Sequence, residues 1–208
     1  MKQILCFGDS NTYGLIPGTE GRYGWGVRWT SILNERLGTS SYRVIEEGLC
    51  GRTTVFDDPL RDHRNGAKLL PAVLETNKGI DAVVLMLGTN DCKTVYKTNA
   101  EIIGKGIDKL IKIIREYAGN VKILLVSPIH FGDKVWHSEY DPEFSEDSIK
   151  VNKNLSAVYE KIAIKGNIDF LDAATVAFPS KEDQEHMDEE GHRALADAIY
   201  NKLKEQLS

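Results

Sequence analysis

Apolar residues along this chain follow two rhythms. Short, mostly apolar runs (Ile4 to Phe7, Ile80 to Leu87, Val121 to Val126 and Ile168 to Leu171) stop abruptly, and Tyr42 to Ile45 is a short β-prone stretch. Short apolar runs bounded by turn residues predict buried strands, and runs apolar on both faces predict parallel ones. Elsewhere the apolar side chains return every three or four positions, as on one face of a helix. One such stripe joins Trp25, Val27, Trp29, Ile32, Leu33 and Leu37 and halts at Gly38. A second, Leu69, Leu70, Val73 and Leu74, contains Pro71, which a helix tolerates only near its start. A third, from Ile103 to Ile114, follows Thr98-Asn99-Ala100-Glu101, a capping-box pattern, and ends at Gly119-Asn120. Ser145, with Glu146 and Asp147 behind it, opens a fourth through Ile149, Leu155, Val158, Tyr159 and Ile162. A last helix is expected from Gly191 to Leu207.

Strands alternating with helices predict an α/β fold: a parallel sheet with right-handed crossovers and helices on both faces. In such a sheet the turns that follow strands gather at one edge, however distant they are in sequence. Those turns are Gly8-Asp9-Ser10-Asn11, Gly48-Leu49-Cys50-Gly51, Gly88-Thr89-Asn90-Asp91 and Ser127-Pro128. Open α/β sheets bind ligands at that edge.

Composition narrows the function classes. At 208 residues the chain is long enough for one domain with a sizeable core, burying about 70% of its unfolded surface. A net charge of −5 with no basic block argues against nucleic acid and against an anionic membrane surface. No apolar stretch is long enough to span a bilayer, and the N-terminal run is too short for a signal peptide. Three cysteines (Cys6, Cys50, Cys92) without paired spacing suggest free thiols in a reducing compartment, so a cytoplasmic protein is expected.

Ser10, exposed at the turn after the first strand, is the candidate nucleophile. A serine hydroxyl needs a neighbouring base, and that base needs a group to fix its tautomer. His186 and Asp183 supply both at a spacing of three; if residues 183–186 form one helical turn, the two side chains share a face. Attack on an ester builds charge on the carbonyl oxygen, for which the Ser10 N–H, the Gly51 N–H and the Asn90 side-chain amide are candidate donors. Alternatives stand beside each reading. Ser10 alone suits phosphate binding in a flavodoxin-like module. Gly51 suits any positive-φ position, and Asn90 any loop amide. Cys50 and Cys92 lie near the proposed site without an evident base. Asp183, His186, Asp188 and His192 fit no familiar metal-ligand spacing, so no metal or other cofactor is expected.

Taken together, Gly8-Asp9-Ser10, Gly51, Gly88-Thr89-Asn90-Asp91 and Asp183-x-x-His186 resemble the four blocks of the SGNH (GDSL-type) hydrolases, in order and across nearly the whole chain. The likeness is closer to the arylesterase and acyltransferase branch through Ile45 to Leu49, Gly51-Arg52-Thr53-Thr54, Asp57-Asp58-Pro59 and Asn65-Gly66. Two positions depart from the pattern: Asn11 stands where the family name expects Leu, and Glu46 where many relatives carry Asn. The resemblance implies a single three-layer α/β/α domain over residues 1–208 with a five-stranded parallel sheet. It also implies a triad of Ser10, His186 and Asp183 and an oxyanion hole of Ser10, Gly51 and Asn90. The expected substrate is a small ester with a short acyl group, acetyl above all, with acyl transfer to alcohols and a homo-oligomer also implied. Asn11, Lys93 and Trp136 are the candidate substrate contacts. A lysophospholipid or thioester is the alternative substrate. The acidic, aromatic stretch from Ile129 to Ser145 is a long loop that suits either a pocket wall or a subunit contact.

Overall fold

The computed structural model describes residues 1–207, with side chains through Lys204. Its strands are β1 (Lys2–Gly8), β2 (Tyr42–Gly48), β3 (Ala82–Met86), β4 (Lys122–Ser127) and β5 (Asp169–Asp172). They form a parallel sheet in the order β2-β1-β3-β4-β5. The helices are α1 (Ser10–Tyr13), α2 (Trp29–Leu37), α3 (Gly66–Thr76), α4 (Ala100–Ala118), α5 (Glu146–Gly166) and α6 (Glu189–Leu207).

Successive strand side chains point to opposite faces, and this alternation builds the two outer layers. Leu5, Phe7, Val83, Leu85, Ile123 and Leu125 face α3, α4 and α5, meeting Leu70, Ile103, Ile107, Leu155 and Tyr159. Ile4, Cys6, Val84, Met86, Leu124 and Val126 face α2 and α6, meeting Trp29, Leu33, Leu195, Ile199 and Leu203. Both faces of the inner strands are therefore dry, which is why β1, β3 and β4 read as apolar runs while the edge strands β2 and β5 carry charges.

The chain reverses direction across the sheet between β1 and β3, and the crevice at such a switch point is where these folds place ligands. Strands β1 and β2 end in glycines for a steric reason. A Cβ at Gly48 would lie 2.1 Å from the Tyr13 nitrogen, so α1 can cross the end of β2 only over a bare backbone.

Several local expectations are corrected. Helix α2 starts at Trp29, leaving Trp25 and Val27 in the preceding loop. Pro71 sits in the second turn of α3, not at its start, because Asn65 caps a helix whose first turn (Gly66-Ala67-Lys68) carries little apolar signal. Helix α4 is capped by Asn99, whose side chain accepts from the Ile102 N–H at 2.9 Å; Thr98 instead donates to the Asp91 carbonyl. Ser145 caps α5 as expected, although the reciprocal partner is Ser148. The 129–145 segment is a loop fastened by the packed rings of Phe131 and Phe144, tilted 48° with centroids 4.6 Å apart.

Candidate active site

Ser10 is the first residue of α1, a single turn squeezed between β1 and Gly14. Asp9 caps it, accepting from the Asn11 N–H at 3.1 Å, and Gly14 ends it in the left-handed conformation. This tight strand–turn–helix fixes the Ser10 hydroxyl at the C-terminal end of β1, beside the switch point.

His186 and Asp183 reach it from the segment between β5 and α6. The Ser10 Oγ lies 2.8 Å from His186 Nε2, and His186 Nδ1 lies 2.7 Å from Asp183 Oδ2. The expected helical turn over 183–186 is not what brings them together. Gln184 has φ +64, and Asp183 Oδ1 instead accepts from the backbone N–H groups of Glu185 (3.0 Å) and His186 (2.9 Å), while Oδ2 also accepts from Gly18 (2.9 Å). The carboxylate thus builds its own loop around the imidazole. Burial raises the Asp183 carboxyl, but its bonds from His186 and the two amides hold it below the usual carboxylate range. An ionised Asp183 accepts only, so it fixes the proton of the neutral imidazole on Nδ1 and leaves Nε2 to face the serine. Burial lowers the His186 imidazole, but the carboxylates of Glu185 and Asp183 outweigh burial and raise it above its ordinary value, so the neutral form that can accept the serine proton gains as pH rises.

The other two loops converge on the same edge. Gly51 has φ +81, a conformation that L side chains adopt rarely, which explains a glycine there. Asn90 is buried, and its side-chain amide donates to the Arg52 carbonyl at 3.2 Å, so one of its two N–H bonds holds it beside Gly51. Arg52 in turn donates to the Gly8 carbonyl at 2.9 Å and to the Glu47 carbonyl, tying the ends of β1 and β2 together. Its guanidinium lies 4.0 Å over the Phe7 ring, and burial lowers it to about 10. Asp91 completes the frame by accepting the Thr54 N–H and hydroxyl. Burial pushes the Asp91 carboxyl up to about 7.

Glu46 is also accounted for. It takes two bonds from the Arg28 guanidinium (2.8 and 2.7 Å) and one from the Thr30 hydroxyl, fastening β2 to the start of α2.

Two of the expected substrate contacts are turned elsewhere. Asn11 is buried with both ends of its amide spent on the histidine loop, donating to the Glu185 carbonyl (3.4 Å) and accepting from the Met187 N–H (3.0 Å). Lys93 is buried in an ion pair with Glu143. Trp136 is half-buried on the 129–145 loop with its ring 4.3 Å from His137; that loop touches the histidine turn where Gly132 donates to the Gln184 carbonyl at 2.8 Å. All three cysteines are free, and burial raises the thiols of Cys6, Cys50 and Cys92, the opposite of activation. His192 is buried against Trp29, away from any ligand cluster. Among the described residues, no group of three or more His, Cys, Asp or Glu could hold a metal ion.

Glu185 carries no signal in the sequence, and Arg52 and Asp91 stand out only as members of the blocks around Gly51 and Asn90, with nothing to mark them as buried supports of the site. Each is a charged side chain, for which a solvated position is the default expectation, and the burial of each depends on contacts distant in sequence.

A hydroxyl, an imidazole and a carboxylate bonded in series at the switch point of an α/β/α sheet make an arrangement suited to nucleophilic acyl chemistry. The GDSL-like lipase/acylhydrolase family matches residues 6–194, and the chain belongs to that family. Among solved structures, a carbohydrate acetylesterase family member from Sinorhizobium meliloti is 35% identical with a TM-score of 0.93, covering 100% of this chain and 99% of its own. The native M. smegmatis aryl esterase is 33% identical with a TM-score of 0.91, covering 99% of both chains. Est24, a carbohydrate acetylesterase from Sinorhizobium meliloti, is 32% identical with a TM-score of 0.89, covering 99% of this chain and 100% of its own. No curated protein matches. The chain is a carboxylic ester hydrolase with the SGNH fold.

Proposed function

We propose that Ser10 is the nucleophile, His186 its general base and Asp183 the group that orients the imidazole. The observation that carries this reading is the unbroken relay of 2.8 and 2.7 Å from Ser10 through His186 to Asp183. His186 Nε2 takes the Ser10 proton as Oγ attacks the ester carbonyl, then returns it to the departing alcohol. The N–H groups of Ser10 and Gly51 and the second N–H of Asn90 receive the oxyanion. Water, or an alcohol acting as acyl acceptor, then releases the acyl group from Ser10.

The substrate reading is a small ester carrying a short acyl group, acetyl first, on an aryl or carbohydrate alcohol. It rests on the names of the relatives at 32–35% identity. We assign the alcohol-side wall to Trp136, supported by the contact of its loop with the histidine turn, and assign no substrate contact to Asn11 or Lys93. The chain acts as one domain, since β1 and β5 share a sheet and α6 packs on α2. The three unpaired thiols support a reducing, cytoplasmic setting. The likeness to the arylesterase and acyltransferase branch supports a homo-oligomer, which light scattering tests. No described helix is long and apolar enough to cross a membrane.

The testing experiment is rate against acyl length on p-nitrophenyl esters, with Ser10→Ala as control. Acetate should be fastest, with a steep fall as the chain lengthens. A maximum at long acyl chains contradicts the substrate reading, and full activity in Ser10→Ala contradicts the nucleophile.

A further inference from the structure

A second carboxylate stands beside the reactive nitrogen. Glu185 is 6% exposed, and its Oε1 lies 3.9 Å from His186 Nε2, the same atom that faces Ser10. Its backbone is pinned from both sides: the N–H donates to Asp183 Oδ1 at 3.0 Å, and the carbonyl accepts from Asn11 at 3.4 Å. The position is therefore built, not that of a loose surface glutamate. Burying a carboxylate is costly, and an aliphatic side chain of similar volume would cost the fold less. Burial pushes this carboxyl up to about 7, with His186 and Lys93 opposing the rise and Asp141 and Asp183 adding to it. The triad reading leaves this group without a task.

Its place relative to Nε2 suits the second half of the reaction. A gap of 3.9 Å between two acceptors admits one oxygen bonded to both, at about 2.8 Å from each. Water can fill that position because it carries two hydrogens, one for Nε2 and one for Oε1. A monohydric alcohol carries one, which must go to Nε2 if the alcohol is to attack, and it leaves Glu185 without a donor.

We propose that Glu185 holds the deacylating water between its carboxylate and His186 Nε2, and so biases the acyl-enzyme toward hydrolysis over transfer to alcohols. The step balances as ordinary ester hydrolysis. The water oxygen bonds to the acyl carbon, one proton passes to Nε2, and the other hydrogen stays bonded toward Glu185. The tetrahedral adduct then collapses with cleavage of the Ser10 Oγ–acyl bond, Nε2 returns the proton to Oγ, and the carboxylic acid leaves. This inference rests on the triad reading above.

The test compares Glu185→Leu and Glu185→Gln with the unaltered protein on p-nitrophenyl acetate, with and without added n-butanol. Glu185→Leu should keep kcat/KM, which reports acylation, while kcat falls about 10- to 10²-fold and a burst of nitrophenol appears. With butanol present, the ratio of butyl acetate to acetate should rise above that of the unaltered protein. Glu185→Gln retains an acceptor oxygen and should restore most of the hydrolysis. An unchanged product ratio in Glu185→Leu overturns the proposal, whether kcat holds or falls together with kcat/KM. Ser10→Ala distinguishes the two levels: activity surviving there overturns the triad itself, whereas an inactive Ser10→Ala with an unchanged ratio in Glu185→Leu overturns only the role of Glu185.

Discussion

Gly106→Ala is the most demanding test of how the oxyanion loops are held. Gly106 lies in the interior of α4, where replacing glycine by alanine ordinarily gains about 1 kcal/mol of helix stability. Here the new methyl would lie 2.2 Å from Thr54 Oγ1 and 2.8 Å from Thr54 Cβ. Rotating the Thr54 side chain moves only the first of these atoms, since Cβ is bound to the backbone. The backbone of 53–54 must therefore retreat from α4, at an overpacking cost of about 1–3 kcal/mol. Retreat also stretches the Thr54 bonds to Asp91, and a buried acceptor short of its donors costs about 1–3 kcal/mol more. The costs exceed the propensity gain, for a net loss of about 1–5 kcal/mol, or a fall in Tm of about 2–4 °C per kcal/mol. Asp91 follows Asn90, so kcat on p-nitrophenyl acetate should fall in the fraction that remains folded. Calorimetry beside steady-state kinetics measures both, with Gly24→Ala, which meets nothing within 4 Å, as the silent control. A Gly106→Ala protein as stable as the original, or more so, would refute the close approach of α4 to this loop.

Two further outcomes follow from named contacts. Asn90→Ala should lower kcat by about 10²–10³, and stability by about 1–3 kcal/mol because the buried Arg52 carbonyl loses a donor; an undiminished kcat in the folded protein removes Asn90 from the oxyanion hole. Glu46→Ala breaks a partly buried pair with Arg28 and should lower stability by about 1–3 kcal/mol at neutral pH. Burial raises the Glu46 carboxyl, but the bonds from Arg28 and Thr30 hold it below the usual carboxylate range. A depressed folded pKa means that the stabilisation is present above about pH 4.3 and is lost as pH falls through the folded value, so the gap in Tm between variant and original should narrow on acidification. A gap constant from neutral to acid pH contradicts the pairing.

The inner strands were legible because a sheet covered on both faces leaves no polar positions along them, as in Ile4 to Phe7 and Ala82 to Leu87. The meeting of Ser10, His186 and Asp183 was legible for a different reason: a serine, a histidine and an aspartate sit at turns where such residue types stand out. Its local geometry was not. A spacing of three suggests a helical turn, yet the bonds of Asp183 to two amides and the positive φ of Gln184 make a tighter loop. The frame beneath the site was hidden altogether. Arg52 reaches Gly8, Asp91 reaches Thr54 and Arg28 reaches Glu46 across 44, 37 and 18 positions, pairings that no local pattern encodes. Pro71 and Asn99 show the limit at helix ends, where a cap is decided by which side chain meets the first free N–H groups and by nothing apolar.

The central claim is that the acyl group passes through the Ser10 oxygen. Acid-quenching the protein during turnover of p-nitrophenyl acetate, followed by mass spectrometry of its peptides, should find a single acetyl group on the peptide containing Ser10 and none on the Ser10→Ala protein. Acetyl found instead on Cys50, Cys92 or a lysine, or undiminished turnover by Ser10→Ala, would contradict it.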